Sequence, residues 1–82
     1  MALNLYDRVA LNVALPGQDV RVGDVATLVE FVEHPSGRPR GCVLEFFNAV
    51  GESLRVITVP ENTIEPLRAD EVLAVRPLVI AR

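Results

Sequence analysis

The sequence predicts a small all-β barrel of five strands. Short segments rich in β-branched and aliphatic residues recur along the chain, and turns containing Gly or Pro separate them. The clearest turn is Gly23-Asp24, which leads into Val25-Ala26-Thr27-Leu28-Val29. Glycine allows the sharp reversal, and β-branched residues favour an extended backbone. At 82 residues, the chain has the length of one domain.

The strands can be placed from these signals. We expect strands over residues 5–13, 25–33, 41–47, 54–59 and 64–67, with one short helical turn over residues 60–63. Proline suits the first position of a helical turn, which favours Pro60, and Pro66 confines the fifth strand to a sheet edge. The Pro16-Gly17 dipeptide predicts a type II turn after the first strand.

Alternation along the third strand separates a core face from an outer face. Cys42, Leu44 and Phe46 are predicted to point into the core, whereas Phe47 lies on the opposite face with Val43. Most aromatic side chains are expected in the core. An outward phenylalanine is a plausible anchor for a protein interface, unless a β-bulge returns it to the core.

Residues 68–82 form an extension after the barrel, which occupies residues 1–67. The extension is apolar and rich in valine, so we expect a C-terminal strand that packs on the barrel or on a partner subunit. Val72, Val75 and Val79 also lie at helical spacing, but Pro77 would break a helix. The aliphatic residues are too many to leave in water without a large cost in free energy.

Composition limits the classes of function. The net charge is −3, so binding of nucleic acid through phosphate neutralisation is not expected. The first residues lack the pattern of a signal peptide, and no apolar run is long enough for a membrane span. The single Cys42 cannot form an internal disulfide. We therefore expect a cytoplasmic protein.

Candidate catalytic residues are sparse. His34 is the only histidine and lies in a loop beside Pro35, and Ser36 and Ser53 are turn residues without a recognisable triad. One His and one Cys do not make a zinc site. We expect no enzymatic activity, no metal and no cofactor.

The loop over residues 34–40 is the one basic region. Arg38 and Arg40 are candidate anion contacts, because a guanidinium pairs bidentately with a carboxylate or phosphate. Weak binding of an anionic ligand or nucleic acid through this loop is one alternative for the function.

Several segments carry a resemblance to known proteins. The strand, Gly-Asp turn, long hairpin, helical turn and final strand resemble the SH3-like barrels. Four segments are similar to a bacterial family called domain of unknown function 4926. They are residues 5–11, 21–30, 43–46 and 58–60. The resemblance implies the fold and brings no activity, catalytic residue or cofactor.

We therefore interpret the chain as a non-enzymatic protein-interaction module that forms a homodimer. The residues expected at the interface are Phe47, Val72, Val75, Leu78 and Ile80. A different class also fits, namely an antitoxin or immunity protein that neutralises the product of a neighbouring gene. In either case the partner is a protein and not a membrane.

Overall fold

The fold is a single antiparallel β-sheet, and the computed structural model describes residues 3–36 and 38–78. Strand β1 is Arg8–Leu11, β2 is Val25–Val32, β3 is Gly41–Phe47, β4 is Ser53–Pro60 and β5 is Ile64–Pro66. One 3-10 turn, Pro16–Gln18, follows β1 and another, Glu61–Thr63, joins β4 to β5. The predicted all-β class with five strands is confirmed.

The strand order in the sheet is β4-β3-β2-β1-β5. Strands β2, β3 and β4 follow one another as hairpins, and the N-terminal β1 pairs with both β2 and the last strand, β5. The short β5 is the terminal strand of the sheet, as Pro66 predicted, because a proline cannot donate to a further strand. The third strand has the predicted bounds.

The core lies on one face of the sheet. Val9, Leu11, Leu28, Leu44 and Cys42 are almost completely buried there, and Phe46 belongs to the same cluster. Alternation correctly predicted the core face of β3. Ala10 points to the opposite face and is also buried, so β1 is covered on both sides.

Aromatic residues divide between the core and the surface. Phe46 is in the core and Phe31 packs against it, but Tyr6 and Phe47 are exposed. The expectation that most aromatics are core residues holds for only two of these four. Tyr6 has a left-handed backbone, with φ of 71°. This turn explains why the first strand begins at Arg8 and not at residue 5.

Two local expectations were wrong. Pro16-Gly17 forms a 3-10 turn and not a type II turn, and Gly17 has no positive φ. The tail forms neither strand nor helix over residues 67–78, and residues 79–82 lie outside the described part of the chain. Two residues account for the absence of regular structure in this segment. The Arg76 side chain binds the loop before β2, and Pro77 lacks a backbone donor. We call residues 67–78 the C-terminal arm.

Candidate interaction surface

Arg76 fastens the C-terminal arm to the turn that precedes β2. Its Nε donates to Oδ1 of Asp24 over 2.9 Å, and its Nη2 donates to the backbone carbonyl of Asp19 over 2.6 Å and also to Oδ2 of Asp24. Its Nη1 lies 3.5 Å from Oδ1 of Asp19. We call these contacts the Arg76 latch. A fork of donors that meets one carboxylate with two nitrogens is a strong and directional contact.

Local backbone structure holds the two aspartates in place. Gly23 has φ of 90°, and the reversal at this glycine lets the backbone N–H of Arg21 donate to Oδ2 of Asp24 over 2.8 Å. Asp19 ends the first 3-10 turn in a left-handed conformation. The latch therefore rests on two turns of the β1–β2 connection.

The latch controls the ionisation of Asp24. Burial by itself raises the pKa of this carboxyl, but the hydrogen bonds from Arg76 and from the backbone of Arg21 outweigh burial. The pKa of Asp24 is consequently below its ordinary value of 3.8. The carboxylate in turn raises the pKa of Arg76. Both groups are charged at neutral pH, and their side chains are only 15% and 20% exposed.

A cleft of about 970 Å³ separates the arm from the outer face of the sheet. Val25, Thr27, Phe47 and Leu54 line it on the sheet side, and residues 71–78 line it on the arm side. The arm crosses the outer face without filling the space beneath it. This part of the sheet therefore keeps an accessible apolar surface.

The arm itself presents aliphatic side chains to solvent. Val72 is 93% exposed and Val75 is 99% exposed, and Leu73 is half-exposed. No backbone–backbone hydrogen bond between described residues involves residues 72–78. This segment thus combines exposed apolar side chains with backbone groups that pair with no described strand, which is a combination that pairs readily with another chain.

The predicted interface residues that the structure describes lie on both walls of the cleft. Phe47, at the end of β3, is 44% exposed and lines the cleft. Leu78 lines it from the arm side and is half-buried. The register of β3 with β4 shifts between Phe46 and Phe47, but this irregularity does not return Phe47 to the core. Ile80 lies outside the described residues.

The two arginines of the basic loop have different surroundings. Arg40 donates from Nε and Nη2 to Oε2 of Glu61, over 3.1 and 3.0 Å, and stacks on the ring of Phe31. The hydrogen bond to Glu61 raises the pKa of Arg40. Arg38 is exposed. An anion at Arg40 would have to compete with a carboxylate that is already in place.

Arg55 lies on the core side of β4, opposite Phe46 of β3. Its guanidinium carbon is 5.4 Å from the centre of the Phe46 ring. Nε and Nη2 are buried and have no hydrogen-bond partner among the described residues. The ring of Phe46 therefore stabilises the charge of Arg55 through a cation–π contact.

The side chains of His34 and Cys42 do not line the cleft. At the surface, Nδ1 of His34 accepts from the backbone N–H of Ser36 over 3.2 Å and lies 2.8 Å from the Ser36 hydroxyl. The thiol of Cys42 is buried. Burial raises the pKa of that thiol and keeps it protonated. Within residues 3–36 and 38–78, no group of three or more His, Cys, Asp and Glu residues could hold a metal ion.

Sequence reasoning missed the Arg76 latch. Asp24 was recognised only as a turn residue, and no spacing rule connects it with an arginine in the tail. The sole signal was a charged residue between Val75 and Pro77, inside an otherwise apolar segment.

The fold and the site define a small antiparallel β-domain with a latched C-terminal arm. The chain belongs to the DUF4926 family, a domain of unknown function whose model matches residues 5–66. Asp24 lies inside the matched region, whereas the arm with Arg76 lies beyond it. No curated protein and no solved structure matches the chain. Among the described residues, no helix is long and apolar enough to cross a membrane.

Proposed function

We propose that this protein is a non-enzymatic interaction module that binds a second copy of itself. The observation that carries this proposal is the exposure of Val72 and Val75 on an arm that forms no backbone–backbone hydrogen bond with the described strands. The half-exposed Phe47 lies across the cleft from this arm. An apolar arm and an apolar sheet face on one molecule can be complementary between two copies.

Burial of the arm provides the free energy for association. A large aliphatic side chain contributes about 1.5–3 kcal/mol when it passes from water to a buried site. Two symmetric arms would bury four valines, because each copy presents Val72 and Val75. This gain would offset part of the cost of immobilising two molecules.

The surroundings of the reactive residues favour binding over catalysis. His34 interacts with Ser36 at an exposed loop, and the Cys42 thiol is buried with a raised pKa. In the part of the chain that the structure describes, the latch aspartate Asp24 is paired with an arginine. None of these groups is poised as a nucleophile or general base in a cleft.

The strand arrangement also supports the assignment of this domain to the SH3-like barrels. The strand order and the 3-10 turn between the last two strands are consistent with an SH3-like barrel. We place this module in the bacterial cytoplasm, where a reduced thiol such as Cys42 persists.

Sedimentation equilibrium over a range of protein concentrations tests the proposal. We expect the full chain to form a dimer, and we expect a version that ends at Arg68 to be monomeric. The Val72→Asp/Val75→Asp double variant should also be monomeric, because carboxylates are costly to bury.

Val50→Asp is the matched control. Val50 is 78% exposed in the β3–β4 turn and does not line the cleft, so this variant should dimerise like the wild type. A full chain that stays monomeric at every concentration contradicts the proposal. Equal dimerisation of the arm variant and the wild type would also contradict it.

A further inference from the structure

We propose that two copies exchange their C-terminal arms, so that Arg76 of each copy binds Asp24 and Asp19 of the other. This inference rests on the proposed dimer and specifies how it is built. It assigns the latch aspartates as a receptor for an arginine-bearing apolar segment. The occupant is the same segment of a second copy.

The polar attachment of the arm is concentrated at one side chain. All hydrogen bonds recorded between residues 72–78 and the strand-bearing part of the chain come from the guanidinium of Arg76. Val72 and Val75 have almost no contact with their own molecule. A segment held in this way can leave one latch and enter an identical one with no loss of specific contacts.

The start of the arm supplies a hinge. The backbone N–H of Arg68 donates to Glu71, and the Arg68 side chain binds Asp70. The Arg68 side chain also pairs with Glu65 of β5 over 3.8 Å. These exposed ion pairs are weak, so the chain can extend from residue 67 onward, and the exchange requires no change in the sheet.

The arm is long enough to reach a second molecule. Nine residues, 67–75, lie between the end of β5 at Pro66 and Arg76, and nine extended residues span roughly 30 Å. The shortest dimension of the molecule is 21 Å. Arg76 can therefore reach the β1–β2 connection of a neighbour packed against this thin dimension.

Charge complementarity selects the second copy as the occupant. The receptor consists of the Asp24 carboxylate, the Asp19 carboxylate and the Asp19 carbonyl, and the arm brings one arginine at the matching position. In the exchanged dimer, both latches are satisfied as in the single molecule. The two arms then lie between the two copies, which places the exposed valines against the neighbouring molecule.

Charge reversal distinguishes exchange from a latch within one molecule. Arg76→Asp places an acid against acids, and Asp24→Arg places arginine against arginine. Each single variant should self-associate at least about tenfold more weakly than the wild type, since like charges in close contact are unfavourable. A mixture of the two single variants should form a heterodimer, because each arm then meets an opposite charge on the other chain.

Native mass spectrometry of the mixture, with one chain isotopically labelled, measures this heterodimer. The Asp24→Arg/Arg76→Asp double variant is the control and should dimerise more tightly than either single variant, since both of its latches have the reversed charge pair, but less tightly than the wild type, since the contacts with Asp19 are lost. Circular dichroism verifies that each variant is folded. Arg76→Ala, which leaves the β1–β2 turn untouched, should also weaken the dimer.

The outcomes separate the two proposals. A wild-type dimer without an excess of heterodimer in the mixture, together with an Arg76→Ala variant that dimerises normally, overturns arm exchange and leaves the dimer intact. A wild-type chain that is monomeric throughout overturns the proposed function and the exchange together. Heterodimer formed preferentially from two weakly associating variants supports both.

Discussion

At the scale of single residues, Asp24 performs two tasks with one carboxylate. It accepts the backbone N–H of Arg21 and closes the turn, and it also binds the guanidinium of Arg76. A neutral amide could preserve part of the first contact but would lose the charge that the second one requires. Loss of this charge should therefore affect the arm more than the sheet.

Asp24→Asn should lower the free energy of unfolding by about 1–2 kcal/mol at pH 7. The folded-state pKa of Asp24 lies below 3.8. The wild-type carboxylate therefore stabilises the fold at pH values above the pKa that Asp24 has in the unfolded chain. This contribution is lost as the pH falls through the lowered folded-state pKa. Urea unfolding from pH 7 to pH 2 should show the difference between the two proteins shrinking.

Asp70→Asn provides the comparison for this pH series. Asp70 pairs with Arg68 but is 76% exposed, and an exposed ion pair contributes little. Its substitution should change the unfolding free energy only slightly at any pH. A pH-independent deficit in Asp24→Asn would mean that turn geometry, and not charge, explains its effect.

Single residues differ in how far the sequence could predict them. Burial of Cys42, Leu44 and Phe46 followed from alternation, since a β-strand places every second side chain on one face. The partners Arg76 and Asp24 could not be predicted, because they meet only after the tail crosses the sheet. A long-range ion pair has no local pattern.

At the scale of elements, the Gly23 turn should be sensitive to substitution. A Cβ at Gly23 meets no atom within 4 Å, but φ of 90° is unfavourable for any residue with a side chain. We expect Gly23→Ala to lower the free energy of unfolding by about 1–2 kcal/mol. Urea unfolding measures this change.

Gly17→Ala is the matched control for backbone strain. Gly17 also has open space around its Cα, and its φ is not positive. The alanine variant should be as stable as the wild type or slightly more so, because alanine restricts the unfolded chain. If both alanine variants lose the same stability, strain at Gly23 is not the cause.

Elements with strong local signals were predictable, and the arm was not. The β3 bounds matched because alternation and the flanking turns agree there. The arm has equally β-prone residues, but a strand needs a neighbouring strand to satisfy its backbone groups. Arg76 holds the arm across the outer face, where residues 72–78 form no backbone–backbone hydrogen bond with the described strands.

At the scale of the whole molecule, protection from hydrogen exchange should differ sharply between the sheet and the arm. Residues 42–46 lie in β3, which pairs on both sides, so their amides should exchange slowest. Residues 72–78 make no recorded backbone–backbone hydrogen bond, so their amides should exchange rapidly in dilute protein.

Mass-spectrometric hydrogen exchange at two protein concentrations extends this test. The arm should become protected at the concentration where the dimer forms, and β3 should be unchanged. Rapid exchange of the arm at both concentrations would show that the dimer, if present, does not bury it. Slow exchange of the arm in dilute protein would contradict its exposed, unpaired state.

The pairing of β1 with β5 also has a consequence for the order of folding during synthesis. Leu11 pairs with Ile64, so the ribosome must release nearly the whole strand-bearing region before β1 acquires its second neighbour. The hairpins of β2, β3 and β4 are local and can form while the remainder is translated. Completion of the sheet then depends on the last strand, β5. Such non-local pairing typically gives folding times of milliseconds to seconds. A nascent chain halted before residue 64 would present the hydrogen-bonding edge of β1 to chaperones and to other nascent chains.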